Sequence, residues 1–226
     1  MKKSALISLP VFFFTLFLSA SCAWSEPPAA DSLKMSAFPG PGKWECTFKP
    51  DTSYISYFLK GNVHDTLGYV KKISGSASGV IAADGRLTVV AVKFTFAAET
   101  MDSKDQKRDE RMKKKFMEIN LYPDIVYRST AAGAGLQDAG PVTQATKDHP
   151  LAFDLEGVLT VHGTTKAITI PVTVYPGNNL LNVEGKTILQ LKDYAINNPS
   201  FFIFRTEDSV AIEFHIELQP ANGTTP

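Results

Sequence analysis

The chain has 226 residues, of which 44% are hydrophobic, and it carries 23 basic and 23 acidic side chains. Removing the first 25 residues takes away two lysines and no acidic residue, which leaves 21 basic and 23 acidic side chains. This balance does not indicate a nucleic-acid-binding protein, which would carry a net basic surface. About 200 remaining residues are enough for one β-domain with its own core.

The N-terminus has the organisation of a secretory signal peptide. Two lysines precede an apolar run from Ala5 to Leu18 that is too short to span a membrane. Cleavage after Ala23-Trp24-Ser25 would follow the small-residue pattern of signal peptidase, and cleavage before Cys22 would instead produce a lipoprotein. We predict a signal peptide over residues 1–25 and a periplasmic protein, with a lipid anchor at Cys22 as the alternative.

Two segments flank the predicted domain, which we place at residues 44–219. Residues 26–43 are rich in Pro, Gly and Ala without any period, which predicts a flexible leader. Residues 220–226 predict a disordered tail. Cys46 is the only cysteine left after cleavage, so no internal disulfide can stabilise the domain and its core must do so.

The first half of the domain contains three predicted strands, over Ser53–Leu59, Lys72–Ile81 and Leu87–Ala97. The first and third alternate apolar and polar side chains, the pattern of a strand with one buried face. The second is rich in Gly and Ser, which indicates a bend or a close approach of backbones. A turn at Ala83–Arg86 joins the second and third strands as a hairpin.

After residue 100 the hydrophobic period changes to that of a helix. Ser103-Lys104-Asp105-Gln106 fits a capping box, and Met112, Phe116 and Ile119 follow at helical spacing. We therefore predict one helix over about Lys104–Glu118.

The second half contains five predicted strands, over Ile125–Thr130, two runs within Asp154–Tyr175, Val183–Leu191 and Val210–Leu218. The two runs within Asp154–Tyr175 predict an antiparallel hairpin, because His162-Gly163-Thr164-Thr165-Lys166 between them supplies a glycine for a tight turn. Residues 131–150 lack an apolar repeat, so we expect a long loop whose tip tolerates change.

About eight strands, mostly joined by short turns and with one inserted α-helix, predict an all-β antiparallel barrel. The long crossover connections that parallel strands require are missing. The interior of a barrel of about eight strands is either filled by side chains or holds one small ligand.

An ordered set of motifs resembles the YceI-like family and spans Ser53 to Leu218. The motifs are Arg108-Asp109-x-x-Met112, Tyr122-Pro123-x-Ile125, Gly157-Val158-Leu159-Thr160-Val161-His162-Gly163-Thr164-Thr165-Lys166, Asp193-Tyr194-x-Ile196 and the closing alternating strand. The resemblance implies an eight-stranded lipocalin-like barrel, usually periplasmic, whose lumen binds a long isoprenoid lipid such as a polyprenyl chain or a quinone. It implies no catalytic residue, and we expect no cofactor.

On this interpretation, side chains on the predicted inner faces and on the helix would contact the lipid. These lumen residues are Phe94, Phe96, Phe116, Leu159, Val161, Val172, Phe202, Phe204 and Phe214. The same residues would also suit the core of a filled barrel. The four histidines have no metal-ligand spacing, so no metal site is expected.

The predicted helix carries seven basic and three acidic side chains between residues 104 and 115, a local charge of +4. This charge could draw an anionic membrane surface or a pyrophosphate to the barrel mouth. It also fits a helix face that is simply solvated. The first interpretation assigns head-group or peripheral membrane contact to Arg108, Lys113, Lys114 and Lys115.

Three functions are therefore open. We predict a non-enzymatic periplasmic carrier, monomeric or homodimeric, for an apolar isoprenoid-like lipid or quinone. The alternative is an interaction module with a filled barrel that docks a protein or a membrane through its basic helix and loops. The third is an enzyme with a site assembled from scattered histidines.

Overall fold

The computed structural model describes residues 40–130, 136, 139–177, 180–200, 203 and 205–221. The predicted signal peptide, most of the predicted leader and the last five residues lie outside this part of the chain. The strands of the described part are β1 (Gly42–Phe48), β2 (Tyr54–Gly61), β3 (Thr66–Val70), β4 (Ser74–Ile81), β5 (Leu87–Ala97), β6 (Met101–Asp102), β7 (Asp124–Ser129), β8 (Leu151–Val161), β9 (Thr164–Gly177), β10 (Leu180–Gln190) and β11 (Thr206–Pro220).

Eight of these strands form a closed antiparallel barrel, which confirms the predicted fold class. The order around the barrel is β1, β4, β5, β7, β8, β9, β10 and β11, and β1 pairs back with β11. At the closing seam, Phe48 of β1 pairs with Leu218 of β11. Strand β2 continues along the same edge of β11, where Ile55 pairs with Phe214, and β3 and β6 extend the sheet beyond β2.

Strand β1 was missed in the sequence, although it has the period of a strand. Its buried residues Trp44, Cys46 and Phe48 alternate with more exposed neighbours. The strand begins at Gly42, within the segment predicted to be a flexible leader. A seven-residue strand beside a Pro- and Gly-rich segment has too few alternations to be recognised locally, and its pairing with β4 and β11 holds it in place.

The β8–β9 hairpin is confirmed, with a tighter turn than predicted. Val161 pairs with Thr164, so the turn contains only His162 and Gly163. Their φ angles are 49° and 70°, the left-handed conformation at both central positions of a two-residue turn. Histidine is among the residues that tolerate this conformation, and the residues Thr164 to Lys166 consequently belong to β9.

The predicted helix is present as α1 (Gln106–Arg111), which continues as a π-helical segment over Met112–Phe116. The predicted capping box is wrong in its register. The N-cap is Asp105, whose side chain accepts a hydrogen bond from the Arg108 backbone at 3.0 Å. Ser103 instead donates from its hydroxyl to the carboxylate of Asp109 and accepts from the side chain of Arg108.

The described part of the loop before β8 packs into the core, although the loop has no apolar repeat, and most of residues 131–138, where its tip was expected, lie outside the described residues. Leu136 is 1% exposed and Val142 is 0% exposed. The Val142 amide donates to the carbonyl of Gly85 at 2.8 Å, in the turn between β4 and β5. The loop therefore closes the end of the barrel that holds this turn.

No helix in the described ranges is long and apolar enough to cross a membrane.

We expect Cys46 to resist alkylation by iodoacetamide at pH 8 in the folded protein and to react fully in denaturant. Cys46 is buried in β1, and burial raises the pKa of its thiol to about 11. Because only the thiolate reacts, few folded molecules would be labelled. Mass spectrometry after a short pulse of reagent measures this, and rapid labelling of folded protein would contradict it.

The raised pKa of the Cys46 thiol also makes the stability of the fold depend on pH above pH 9. The folded pKa lies above the ordinary value of 9.0, so the protonated thiol stabilises the fold fully below pH 9. This contribution is lost as the pH rises toward 11. Urea unfolding should show a steeper fall in stability over this range for the wild type than for Cys46→Ala.

Candidate functional site

A cavity of about 330 Å³ lies inside the barrel, at the end where the α1 segment and the β8–β9 turn are found. Inward-facing side chains of β2, β5, β7, β8, β9, β10 and β11 form its wall, and Met112 and Phe116 of the π-helical segment also line it. Most of the lining side chains are apolar, and the charged ones among them are Arg108 and Arg111. The volume falls within the range of small-molecule sites, which is about 300–1,000 Å³.

Most of the predicted lumen residues lie on this wall. They are Phe94, Phe96, Phe116, Leu159, Val161 and Phe214. Val172 lines a second and much smaller cavity of about 50 Å³. Phe202 and Phe204 lie outside the described residues.

The second cavity marks the half of the barrel that side chains fill. Trp44, Phe153 and Leu155 line it together with aliphatic residues of β4, β5, β9, β10 and β11. Ile170 and Val172 are successive inward positions of β9, yet Ile170 lines the large cavity and Val172 the small one. The interior therefore changes from open to filled within one pleat of β9.

The contribution of β2 to the cavity wall was not predicted from the sequence. Ile55, Tyr57 and Leu59 line the large cavity, and they lie on one face of a strand that the alternation did predict. The alternation of these three apolar residues with Ser56 and Phe58 was the signal in the sequence that places them on one face. Met101 and Met117 on the segments around α1 were missed as well.

The four basic residues predicted to contact a lipid head group or a membrane occupy different environments. Arg108 lines the cavity, and its side chain donates from Nε and Nη2 to the hydroxyl and the carbonyl of Ser103, both at 2.8 Å. Lys113 forms an ion pair with Glu99 at 3.3 Å. Lys114 and Lys115 are exposed. Only Arg108 among the four is therefore placed to meet a ligand within the barrel.

His162 connects three segments beside the cavity. Its Nε2 lies 2.8 Å from Glu118 Oε2, and its Nδ1 lies 3.2 Å from the carbonyl oxygen of Tyr194. The edge of the ring packs against Tyr122, with the ring centroids 4.5 Å apart. Met117, Val161 and Tyr194, which belong to or adjoin the residues in these contacts, all line the cavity. The contacts of His162 therefore hold the segment after α1 and the turn after β10 against the β8–β9 hairpin.

Replacement of His162 by asparagine should cost about 1–2 kcal/mol of unfolding free energy, because two hydrogen bonds are lost. Asparagine also tolerates positive φ, so the turn itself is retained. Hydrogen exchange should become faster at the amides of Met117 and Ile119, which follow the π-helical segment. The exposed His149 gives a matched control, and equal effects of His149→Asn and His162→Asn would contradict the role of the His162 contacts.

No group of three or more His, Cys, Asp or Glu side chains within the described ranges is arranged to hold a metal ion. What the large cavity offers chemically is apolar contact, with polar groups at a few points of its wall. Such a surface gains free energy by removing a hydrocarbon ligand from water.

Comparison with known proteins gives one family and solved structures of similar fold. The model of the YceI-like domain family matches residues 47–218. A polyisoprenoid binding domain from Saccharophagus degradans, implicated in plant cell wall breakdown, superposes with a TM-score of 0.60 at 13% identity, over 80% of this chain and 99% of that one. BcnA from Burkholderia cenocepacia superposes with a TM-score of 0.60 at 20% identity, over 75% of this chain and 98% of that one. No curated protein sequence matches the chain significantly.

Proposed function

The chain belongs to the YceI-like domain family, and from that premise we propose that it binds and carries an apolar, isoprenoid-like lipid in the open half of its barrel. The observation that carries the proposal is the apolar cavity of about 330 Å³ within a closed barrel. The polyisoprenoid binding domain from Saccharophagus degradans, which has a similar fold, supports the choice of ligand class.

The energetics of burial set a minimum size for the ligand. Each buried CH₂ group contributes about 0.8 kcal/mol, so one five-carbon isoprene unit contributes roughly 4 kcal/mol. Association costs an estimated 4–15 kcal/mol in lost freedom of movement. About three or more isoprene units must therefore enter the barrel before binding is useful, which favours a polyprenyl chain or the tail of a quinone over a single short prenyl group.

The segment that covers the cavity is suited to open for the ligand. No residue of α1 or of the π-helical segment is fully buried. Met112 and Phe116 are the two apolar side chains through which this segment lines the cavity. Because few apolar contacts hold the segment, its local opening exposes less apolar surface than unfolding of the barrel, and the contacts that must break are mainly the polar ones of Arg108, Asp109 and Glu118.

The proposed place of action is the periplasm, after export directed by the N-terminal sequence. There a soluble carrier would shield the hydrocarbon chain from water between membranes or enzymes. The apolar character of the cavity wall favours storage and transfer of the ligand over its chemical conversion.

Native mass spectrometry of protein purified from the cell envelope without detergent tests the proposal. We expect an added mass that disappears after extraction with organic solvent and is recovered in the extract as an isoprenoid. The stripped protein should take up a polyprenol or a prenylated quinone again.

A chain that is empty and takes up neither compound would overturn the proposal. Docking through the exposed basic surface would then be favoured. Reversal of the charges at Lys113, Lys114 and Lys115 would test that alternative by loss of binding to anionic vesicles.

A further inference from the structure

A buried hydroxyl on the cavity wall has no hydrogen-bond partner in the described part of the chain. Tyr57 of β2 lines the large cavity and is 3% exposed. Its hydroxyl neither donates to nor accepts from any described residue. Buried polar groups are nearly always paired, because an unpaired one destabilises the fold. The described residues of the cavity wall therefore supply no hydrogen-bond partner for the Tyr57 hydroxyl.

A glycine makes room for the Tyr57 ring. Tyr57 pairs with Gly68 of β3, and its ring and hydroxyl lie directly over the glycine, where any side chain would collide with them. The glycine thus leaves room for the ring to lie flat along the inner wall. The ring is 3% exposed, so surrounding atoms restrict its movement and hold the hydroxyl in place, as a binding group requires.

Charged groups of both signs act on this hydroxyl, and Arg108 and Arg111 line the same cavity. The pKa of Tyr57 is raised well above its usual range, first by burial and then by the negative charge of Asp109, against the opposing effect of Arg108. The hydroxyl therefore remains a hydrogen-bond donor over the physiological pH range. Ser103 bonds to both Arg108 and Asp109, which holds these opposite charges together.

Resting on the proposed carrier function, we infer that Tyr57 is the donor that recognises the polar end of the lipid, and that this end carries an uncharged acceptor oxygen such as a carbonyl. The apolar wall binds the chain, and the hydroxyl of Tyr57 gains its missing partner only when such an oxygen is present. Asp109 offsets the charge of Arg108, and Arg111, which also lines the cavity, lies over the ring of Phe116, so Tyr57 rather than either cation supplies the head-group contact.

Binding measurements with three probes test this inference. The first probe is farnesylacetone, an isoprenoid ketone. The second is the hydrocarbon that has a C=CH₂ group in place of the carbonyl, and the third is farnesyl pyrophosphate. The wild type should bind the ketone about 3- to 10-fold more tightly than the hydrocarbon, the worth of one hydrogen bond, and more tightly than the pyrophosphate.

Tyr57→Phe should abolish or reverse the preference for the ketone, because the carbonyl is then buried without a donor, while the affinity for the hydrocarbon is unchanged. The melting temperature of its ligand-free form should equal or exceed that of the wild type, because an unpaired hydroxyl has been removed. Tyr127 provides the matched control, since it is a buried tyrosine whose hydroxyl already donates to the carbonyl of Leu155. Tyr127→Phe should keep the preference and lower the melting temperature.

The infrared carbonyl band of the bound ketone gives a readout that needs no variant. Donation from Tyr57 should shift the band to lower frequency than in a hydrocarbon solvent.

An unshifted band, or an equal preference for the ketone in wild type and Tyr57→Phe, would overturn the inference while the carrier function stands. Tighter binding of the pyrophosphate than of the ketone would overturn the inference that the head group is uncharged. If neither the ketone nor the hydrocarbon binds the wild type, the carrier function fails and the inference fails with it.

Discussion

Replacement of Ile170 by tryptophan should abolish most lipid uptake while leaving the fold intact. Ile170 is 5% exposed and lines the large cavity. An indole at this position would enter open space and displace at least two CH₂ groups of the ligand, each worth about 0.8 kcal/mol. Affinity should therefore fall by about tenfold or more, and the unfolding free energy should change by less than about 1 kcal/mol. Titration with farnesylacetone and urea unfolding measure the two effects.

Val172→Trp is the matched control on the same strand and the same face. Val172 lines the cavity of about 50 Å³, which cannot accept an indole. Overpacking should cost about 1–3 kcal/mol and lower the melting temperature by roughly 3–10 °C. The folded fraction of this variant should still bind ligand. Equal destabilisation by both substitutions, with full uptake in Ile170→Trp, would show that the ligand does not occupy the barrel.

Substitution of Gly157 by alanine should strongly destabilise the barrel wall. Gly157 of β8 is buried and pairs with Ser129 of β7. A Cβ atom there would lie 2.5 Å from the carbonyl oxygen of Arg128 and 2.5 Å from the hydroxyl oxygen of Tyr127. We expect a loss of about 2–3 kcal/mol and a fall of roughly 5–10 °C in the melting temperature.

The neighbours of Gly157 cannot move aside at low cost. Tyr127 is 0% exposed, stacks on Phe94 with a centroid distance of 5.1 Å, and donates to the carbonyl of Leu155. Gly40→Ala is the control, because no atom lies within 4 Å of the position of its Cβ. That variant should stay within about 0.5 kcal/mol of the wild type. Similar melting curves for the two alanine variants would mean that the Tyr127 ring shifts freely.

Local sequence patterns determined most of the wall. The strand predicted at Leu87–Ala97 is β5 with the same bounds, and the alternation in Val210–Leu218 correctly identified β11. These patterns are readable because a strand places successive side chains on opposite faces, so its period depends only on neighbours in the chain. Short connections likewise pointed to antiparallel pairing, and the positive charge of residues 104–115 was evident without any structure.

Contacts between distant residues decided what local patterns could not. The barrel closes because Phe48 meets Leu218, and Leu136 and Val142 are core residues although their loop has no apolar repeat. Tyr57 is a candidate binding residue only because Gly68 of another strand lies beneath its ring.

The distinction between an open and a filled interior was also beyond the sequence. Ile170 and Val172 are both β-branched, lie on one face of β9 and are almost equally buried. One nevertheless borders a cavity of about 330 Å³ and the other a cavity of about 50 Å³. A chain determines by itself which side chains turn inward, since that depends on backbone geometry. The space left between them depends on the summed volumes of residues brought together from the whole barrel, and only the tertiary structure fixes that sum.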